Sequence, residues 1–438
     1  MSHPDPSTGT TSSAVQEIDR RLPDGGLFDG KTWVPSPEPF VLTKKQGKEL
    51  QRLGDLLAKF VAASDDAYRR STKGSLPDWI SGYLDAGKPD FLREIGASTQ
   101  TEPSLPRVIR PDVLLTADGF SLTELDSVPG GIGLTDFLHQ CYGSQGFELM
   151  GGTDGMRNGF SSILDDGADI VISDESGDYR PEMEWLRREL GDDQVSVHRA
   201  ETYQPDGSQI YRFFELFDHA NIPFLKSHAA QLASGELPMV APAKAHLEEK
   251  MWFALFHRRQ LRDFWRRALR DKGYQQLQNY LPYSWVVDPA PIPDHAAIPR
   301  LDLGSWDELA ALGQKDRELV LKVSGFSELA WGSRGVWIGH DMPQTEWKTA
   351  VDRAVDMFPT NPCLLQEFRS PARIEHPIWN RQTQKVETME GRVRLCPYYF
   401  VAAGKATLGG VLATIVPTDK KVVHGMEDAC LVPCRIEG

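Results

Sequence analysis

The stretch RPDVLLTADGFSLTELD, from Arg110 to Asp126, constrains this chain more than any other. Asp118-Gly119 is a turn signal between two runs of alternating apolar residues, so a β-hairpin is predicted. With the loop centred on Asp118, Asp112 falls opposite Glu124 and Arg110 opposite Asp126. Two-residue alternation then puts all four on one face. Three acids crowded on neighbouring strands repel one another. A hard cation would relieve that: Mg2+ takes carboxylate oxygens and completes its shell with water and nucleotide phosphates. Arg110 beside them suits a transferring phosphoryl group. A one-residue slip would turn the same acids to solvent, so spacing alone leaves a metal site and an exposed face both open.

Pro129-Gly130-Gly131-Ile132-Gly133 follows at once, ahead of a helix predicted over Leu134–Cys141. Glycines there allow backbone amides to approach an anion at the helix start. Many such loops are merely turns.

At 438 residues the chain needs two or three lobes. Its net charge of −14 argues against nucleic acid as a partner. The five cysteines (Cys141, Cys363, Cys396, Cys430, Cys434) include no CxxC pair and read as free thiols of a reducing compartment. No apolar run approaches the roughly 20 residues of a membrane helix. The polar N-terminus lacks the apolar stretch of a secretory signal. A cytoplasmic protein with no membrane partner is expected.

Residues 1–14 read as a disordered lead-in, and Lys44–Ala62 as a helix with Leu50, Leu53, Leu57 and Phe60 at helical spacing. Residues 168–199 have the pattern of a βαβ unit, followed by a strand over Ile210–Phe217. One long amphipathic helix is predicted from Ala243 to Lys272, its arginines forming a solvated face. Later, a strand Glu318–Val323 leads into the glycine-rich Ser324–Gly339. A helix at Glu346–Met357 and strands at Cys363–Phe368, Arg392–Val401 and Gly410–Val416 complete the chain.

Lys322, on a strand ahead of that glycine-rich loop, has the makings of a phosphate contact, although strand-end lysines also serve as plain surface. GxxxxGK[ST] and GxGxxG are both absent. The strand ending at Gln366, Glu367 and Phe368 could pair with an adenine edge or could be ordinary core. Arg392 and Arg394 share a face that suits either phosphate or a salt bridge, and His424 reads as structural.

Taken in order, these pieces resemble the circularly permuted ATP-grasp family, in particular the synthetase domain of glutathionylspermidine synthetase. That family carries R-x-D on one strand and E-x-N on the next. Arg110-x-Asp112 and Glu124-x-Asp126 match these motifs, with Asp126 replacing the asparagine. Its NKA-LL helix resembles Glu249-Lys250-Met251-Trp252-Phe253-Ala254-Leu255, and its strand lysine and glycine loop resemble Lys322 and Gly325–Gly335.

The resemblance implies an α+β ATP-grasp fold, circularly permuted, with the nucleotide between two α+β lobes and an additional α/β substrate-side subdomain. The corresponding segments are 15–140 with the hairpin, 141–235 on the substrate side, and 236–438 for the nucleotide lobes. It implies Asp112, Glu124 and Asp126 as ligands of Mg2+, and Arg110 as the residue that stabilises an acyl phosphate. Lys250, Lys322, Gly325, Gly332, Ser333, Arg334, Gly335, Gln366, Glu367 and Phe368 would contact ATP. The activity implied is an ATP-dependent ligase joining a small-molecule carboxylate to an amine, with release of ADP and phosphate. A homodimer is the default expectation for such an enzyme. A small-molecule kinase and a catalytically inactive binding protein are the alternatives. No stretch of this sequence resembles the family's amidase domain with its catalytic Cys, so the bifunctional chemistry is not expected, and residues 141–235 resemble nothing assignable.

Overall fold

A computed structural model describes residues 13–98, 104–293, 296–330, 334–420 and 427–438. Three sheets organise it. Seven strands form the largest, in the order Phe40–Leu42, Cys430–Ile436, Lys405–Pro417, Lys385–Ala402, Val108–Thr116, Gly119–Asp126, with Arg373–Asn380 also paired to Lys385–Ala402. Only its first pair is parallel. The predicted hairpin is therefore the edge of a sheet whose other long strands come from the far end of the chain.

The hairpin register is the predicted one from Arg110 to Asp112 and one residue off from Val113 to Thr116, so the predicted facing pairs arise for a reason alternation alone does not supply. Thr116 pairs with Gly119, so only Ala117 and Asp118 make the turn. Continued regularly, that register would set Asp112 against Thr123. A β-bulge at Thr123 restores Asp112 opposite Glu124 and Arg110 opposite Asp126.

The helix Lys44–Thr72 covers this sheet. Thr43 and Gln46 close its N-terminus with a capping box, which satisfies amides the first turn leaves free. A Cβ at Gly47 or Gly54 would strike Ile436 or Tyr399, so both glycines set how closely helix and sheet approach. The helix runs past the expected end at Ala62 because the polar residues beyond are buried. Asp65 accepts from Lys244 Nζ and His246 Nε2, each at 3.0 Å, and Tyr68 stacks on His246.

The second sheet is antiparallel, in the order Val336–Ile338, Leu319–Val323, Cys363–Glu367, Ser284–Val286. The helix Gln344–Asp356 buries Trp347 and Val351 against Leu321 and Leu365. Each such side chain withdrawn from water contributes about 2 kcal/mol. The third sheet is parallel, Val195–Arg199, Ala168–Ile172, Ile210–Phe213, Met239–Val240, and contains the expected βαβ unit with its helix at Arg180–Leu190.

Other expectations need correction: the strand predicted over Ile210–Phe217 ends at Phe213. The lead-in ends earlier than expected, since Ser13–Arg21 is a helix with Ala14, Val15 and Ile18 buried. The single helix over Ala243–Lys272 is broken into a 3-10 turn at Ala245–Glu248, a helix Met251–His257, and a helix Arg262–Tyr280. Of Glu248, Glu249 and Lys250, Glu249 leaves helical geometry (φ −81°, ψ 121°), and the three pair with partners elsewhere: Arg212, Lys88 and Glu124. Tertiary ion pairs override the apolar period here. The arginine face beyond remains solvated, with Leu261, Phe264, Trp265 and Leu269 turned inward. The five cysteines are free and buried. No described helix is long and apolar enough to cross a membrane.

Candidate active site

A cleft of about 560 Å3 opens where the hairpin, the glycine-rich segment and the third sheet meet. That volume lies within the range of small-molecule sites. Arg110, Asp112, Glu124 and Asp126 line it together with Lys250, Arg334, Arg394 and Glu215. The hairpin face predicted from alternation therefore points into the cleft, not to solvent.

Charge is closely balanced inside. Asp112 is buried between two guanidiniums, with Arg394 Nη1 at 2.9 Å and Arg110 Nη2 at 3.2 Å. Arg110 Nη2 also reaches Asp126 Oδ2 at 3.1 Å, and the Val128 amide donates to Asp126 Oδ1 at 2.9 Å. Arg110 Nε and Arg394 Nε are buried donors without a partner among the described residues. Lys250 Nζ sits 2.9 Å from Glu124 Oε1 and donates to the Ala330 carbonyl at 3.1 Å. Burial, the largest influence, and Asp112 work against charge on Glu124, but Lys250 and Lys322 together outweigh them and the pKa is lowered. Burial dominates at Asp126 and raises its pKa against the pull of Arg110.

The three acids do not form a ready-made metal cluster. Among the described residues no group of three His, Cys, Asp or Glu side chains is placed to hold a metal ion. Cations separate them, because Asp112 is committed to Arg394 and Arg110. Glu124 and Asp126 keep 35% and 27% of their side chains exposed, against 7% for Asp112. Mg2+ commonly takes one or two carboxylates plus phosphate oxygens; Glu124 and Asp126 are the more accessible pair, but each is already ion-paired, to Lys250 and to Arg110, so a metal ion would have to displace those contacts.

The bulge links the hairpin to the second sheet. Thr123 accepts at its carbonyl from Lys322 Nζ at 2.9 Å, and Lys322 also donates to Gln366 Oε1 at 2.8 Å. Lys322 is thus buried directly behind the acidic face, not at the surface. Burial brings its pKa down to about 8, with Lys250 acting in the same direction and Glu124 opposing.

Several expected contacts are engaged within the protein itself. Gly325 donates its amide to Glu249 Oε2 at 2.8 Å, and Phe326 donates to Glu249 Oε1 at 3.3 Å. Glu249 in turn pairs with buried Lys88 and accepts from Ser324. This carboxylate, missed in the sequence because it adjoins Lys250 in a helical pattern, holds the start of the glycine-rich loop. The Gly325 amide, expected to meet phosphate, is already used.

Gln366 sits within a central strand paired on both sides, and its side chain donates to Ser284 Oγ at 3.2 Å. Glu367 and Phe368 donate their amides to the Tyr283 and Glu318 carbonyls, each at 2.9 Å. An adenine edge therefore finds no free amide at Glu367 or Phe368. Gly335 packs its Cα against Val323 and the Leu329 carbonyl, and exposed Arg334 reaches the cleft. Gly332, Ser333 and His424 lie outside the described residues. Of the two arginines on one face, Arg394 joins the site as a salt bridge to Asp112, and Arg392 is not part of the cleft lining.

The loop at Pro129–Gly133 does meet an anion, and it belongs to the chain. Glu182 accepts from the Gly131 amide at 2.8 Å and the Leu134 amide at 3.2 Å, capping the helix Ile132–Gly143. Gly131 takes φ 90°, a conformation glycine tolerates and most residues do not. Burial pushes the Glu182 pKa up to about 7, although the amide hydrogen bonds oppose it. A folded-state pKa above the unfolded value means the native protein holds the proton more tightly. Stability from this group is thus complete below about pH 4.5 and lost as pH rises toward 7. Glu182→Gln should flatten that slope by about 1–3 kcal/mol between those limits. Urea titrations at several pH values would measure it, and an unchanged slope would exclude Glu182 as the source.

No protein-family model matches the sequence, and no curated protein does. Among solved structures, the chain is similar to a glutathione synthetase-like effector from Globodera pallida, solved in its apo form. The match covers 99% of this chain and 98% of that one, with a TM-score of 0.55 and 9% sequence identity. A Methylobacillus flagellatus protein assigned as a gamma-glutamylcysteine synthetase matches over 88% and 86% of the two chains, at 12% identity and a TM-score of 0.38, too low to carry an argument. The first match establishes the class of fold: a mixed α+β architecture shared along its whole length with a glutathione synthetase-like protein.

Proposed function

We propose that this chain is an ATP-dependent carboxylate-amine ligase of the ATP-grasp type, circularly permuted, working through an acyl phosphate. One observation carries the reading. Arg110, Asp112, Glu124 and Asp126 of the hairpin meet Lys250 in one cleft, with Lys322 bonded to the bulge behind them. Alternating cations and carboxylates around buried, unpartnered arginine donors suit a polyphosphate better than an apolar ligand. The Globodera pallida protein supports the fold side of the reading, being named as glutathione synthetase-like.

In this reading Lys250 and Lys322 neutralise the phosphates, and Arg334 covers them from the exposed loop. The purine end expected at Gln366, Glu367 and Phe368 would lie beyond the cleft lining, which contains none of the three. Glu124 and Asp126 would hold Mg2+, which supplies charge neutralisation at the transferring phosphoryl group. Asp112 orients Arg110 and Arg394, and Arg110 receives the acyl phosphate. The walls keep water from that intermediate.

The test is an assay with ATP, Mg2+, a panel of small carboxylates and hydroxylamine, which traps acyl phosphates as hydroxamates. Equal amounts of ADP and hydroxamate are expected with at least one acid. ADP with a stable phosphorylated product and no hydroxamate would mean a kinase. No ADP with any acid, and no thermal shift with Mg-ATP, would mean an inactive binding protein.

A further inference from the structure

We propose that Glu215 forms the acceptor subsite of the cleft: its carboxylate pairs with the ammonium group of a cationic amine substrate and takes its proton before attack. This rests on the ligase reading. Glu215 is the one acid within the run Phe213-Phe214-Glu215-Leu216-Phe217, where an apolar side chain would otherwise be expected. The chain leaves the strand Ile210–Phe213 there and turns into a 3-10 helix, which sets Glu215 on the cleft wall.

Its neighbours are committed elsewhere. Glu248 pairs with Arg212, Glu124 with Lys250, and Asp126 with Arg110 and the Val128 amide. Among the described residues the Glu215 carboxylate has no hydrogen-bond or ion-pair partner.

The groups facing Glu215 come from three elements: Glu248 and Lys250 before the helix Met251–His257, Asp126 on the hairpin, and Arg212 on its own strand. Burial and the two acids push its pKa up to about 8, against the two cations. An arriving ammonium offsets Glu248 and Asp126 and favours the ionised carboxylate. A hydroxyl acceptor would gain nothing there. The proton passes from nitrogen to a Glu215 oxygen, and the freed lone pair attacks the acyl carbon. The C–N bond forms, the C–O bond to phosphate breaks, and the second amine proton leaves with the phosphate.

Hydroxylamine is neutral at pH 7.5 and needs neither ion pair nor base, so it separates this role from phosphoryl transfer. Wild type, Glu215→Gln and Glu215→Asp would be assayed with hydroxylamine, then with ammonium chloride, ethanolamine and n-butylamine as acceptors. We expect Glu215→Gln to keep hydroxamate formation within about twofold and to lose about tenfold or more in kcat/KM for the ammonium acceptors. Partial rescue in Glu215→Asp would support a carboxylate role. Unchanged amine use in Glu215→Gln, equal loss with both nucleophiles, or a wild type that traps hydroxylamine but uses no ammonium acceptor would each overturn the proposal and leave the ligase reading standing. Absence of hydroxamate in the wild type would remove both.

Discussion

Glu124→Ala is expected to cut ATP turnover by about 100-fold or more while the protein stays folded. Removing one preorganised charge partner at a phosphoryl-transfer site typically costs that much. The fold should tolerate the change. Glu124 is partly exposed, and Lys250, left without its carboxylate, still donates to the Ala330 carbonyl at 3.1 Å. A stability loss of about 1 kcal/mol is anticipated. ADP release and thermal melting measure the two effects. Turnover within about twofold of wild type would remove the hairpin from the chemistry, and a collapse in stability would leave the rate loss without meaning. Glu124→Gln discriminates further, because it keeps an oxygen for Lys250 but removes the charge a metal ion would use.

Asp112→Ala should have the largest effect on stability, about 3–5 kcal/mol, as expected when one partner of a buried charge pair is removed. Arg110 and Arg394 would then face each other across the gap, with Asp126 still paired to Arg110. Asp112→Asn should lose less, since it retains an acceptor oxygen. Urea unfolding of the three proteins gives the comparison. An Asp112→Ala protein as stable as wild type would mean that the two arginines find other partners, and that the network does not hold the hairpin face together.

Much of the candidate site was legible because its central feature is local. The Asp-Gly turn and two-residue alternation needed only neighbouring residues, and Arg110, Asp112, Glu124 and Asp126 face one another as that pattern predicts. The bulge was not legible. Thr123 reads as one more residue of the alternation, and its displacement is visible only with Lys322 bonded to its carbonyl. Arg394 had a usable signal, its spacing from Arg392, but nothing in the sequence chose between phosphate and Asp112 as its partner. Glu215 had a faint one, a lone acid in an apolar run.

The errors have a common cause. The helix over Ala243–Lys272 and the early end of the helix at Ala62 both followed the apolar period. In each place buried ion pairs with distant residues decided the backbone: Glu249 with Lys88, and Asp65 with Lys244. The same held at the glycine-rich loops, whose amides found Glu182 and Glu249 as internal anions.

Sequence alone determined the elements whose patterns close over a few residues: the hairpin, the βαβ unit, the start of the helix at Lys44 and the strand bearing Lys322. Tertiary structure alone decided which charges meet and which backbone groups remain free. The physical reason is range. Backbone geometry and apolar alternation are set by adjacent residues, whereas a buried charge takes its partner from any strand or helix that folding brings within about 3 Å of it.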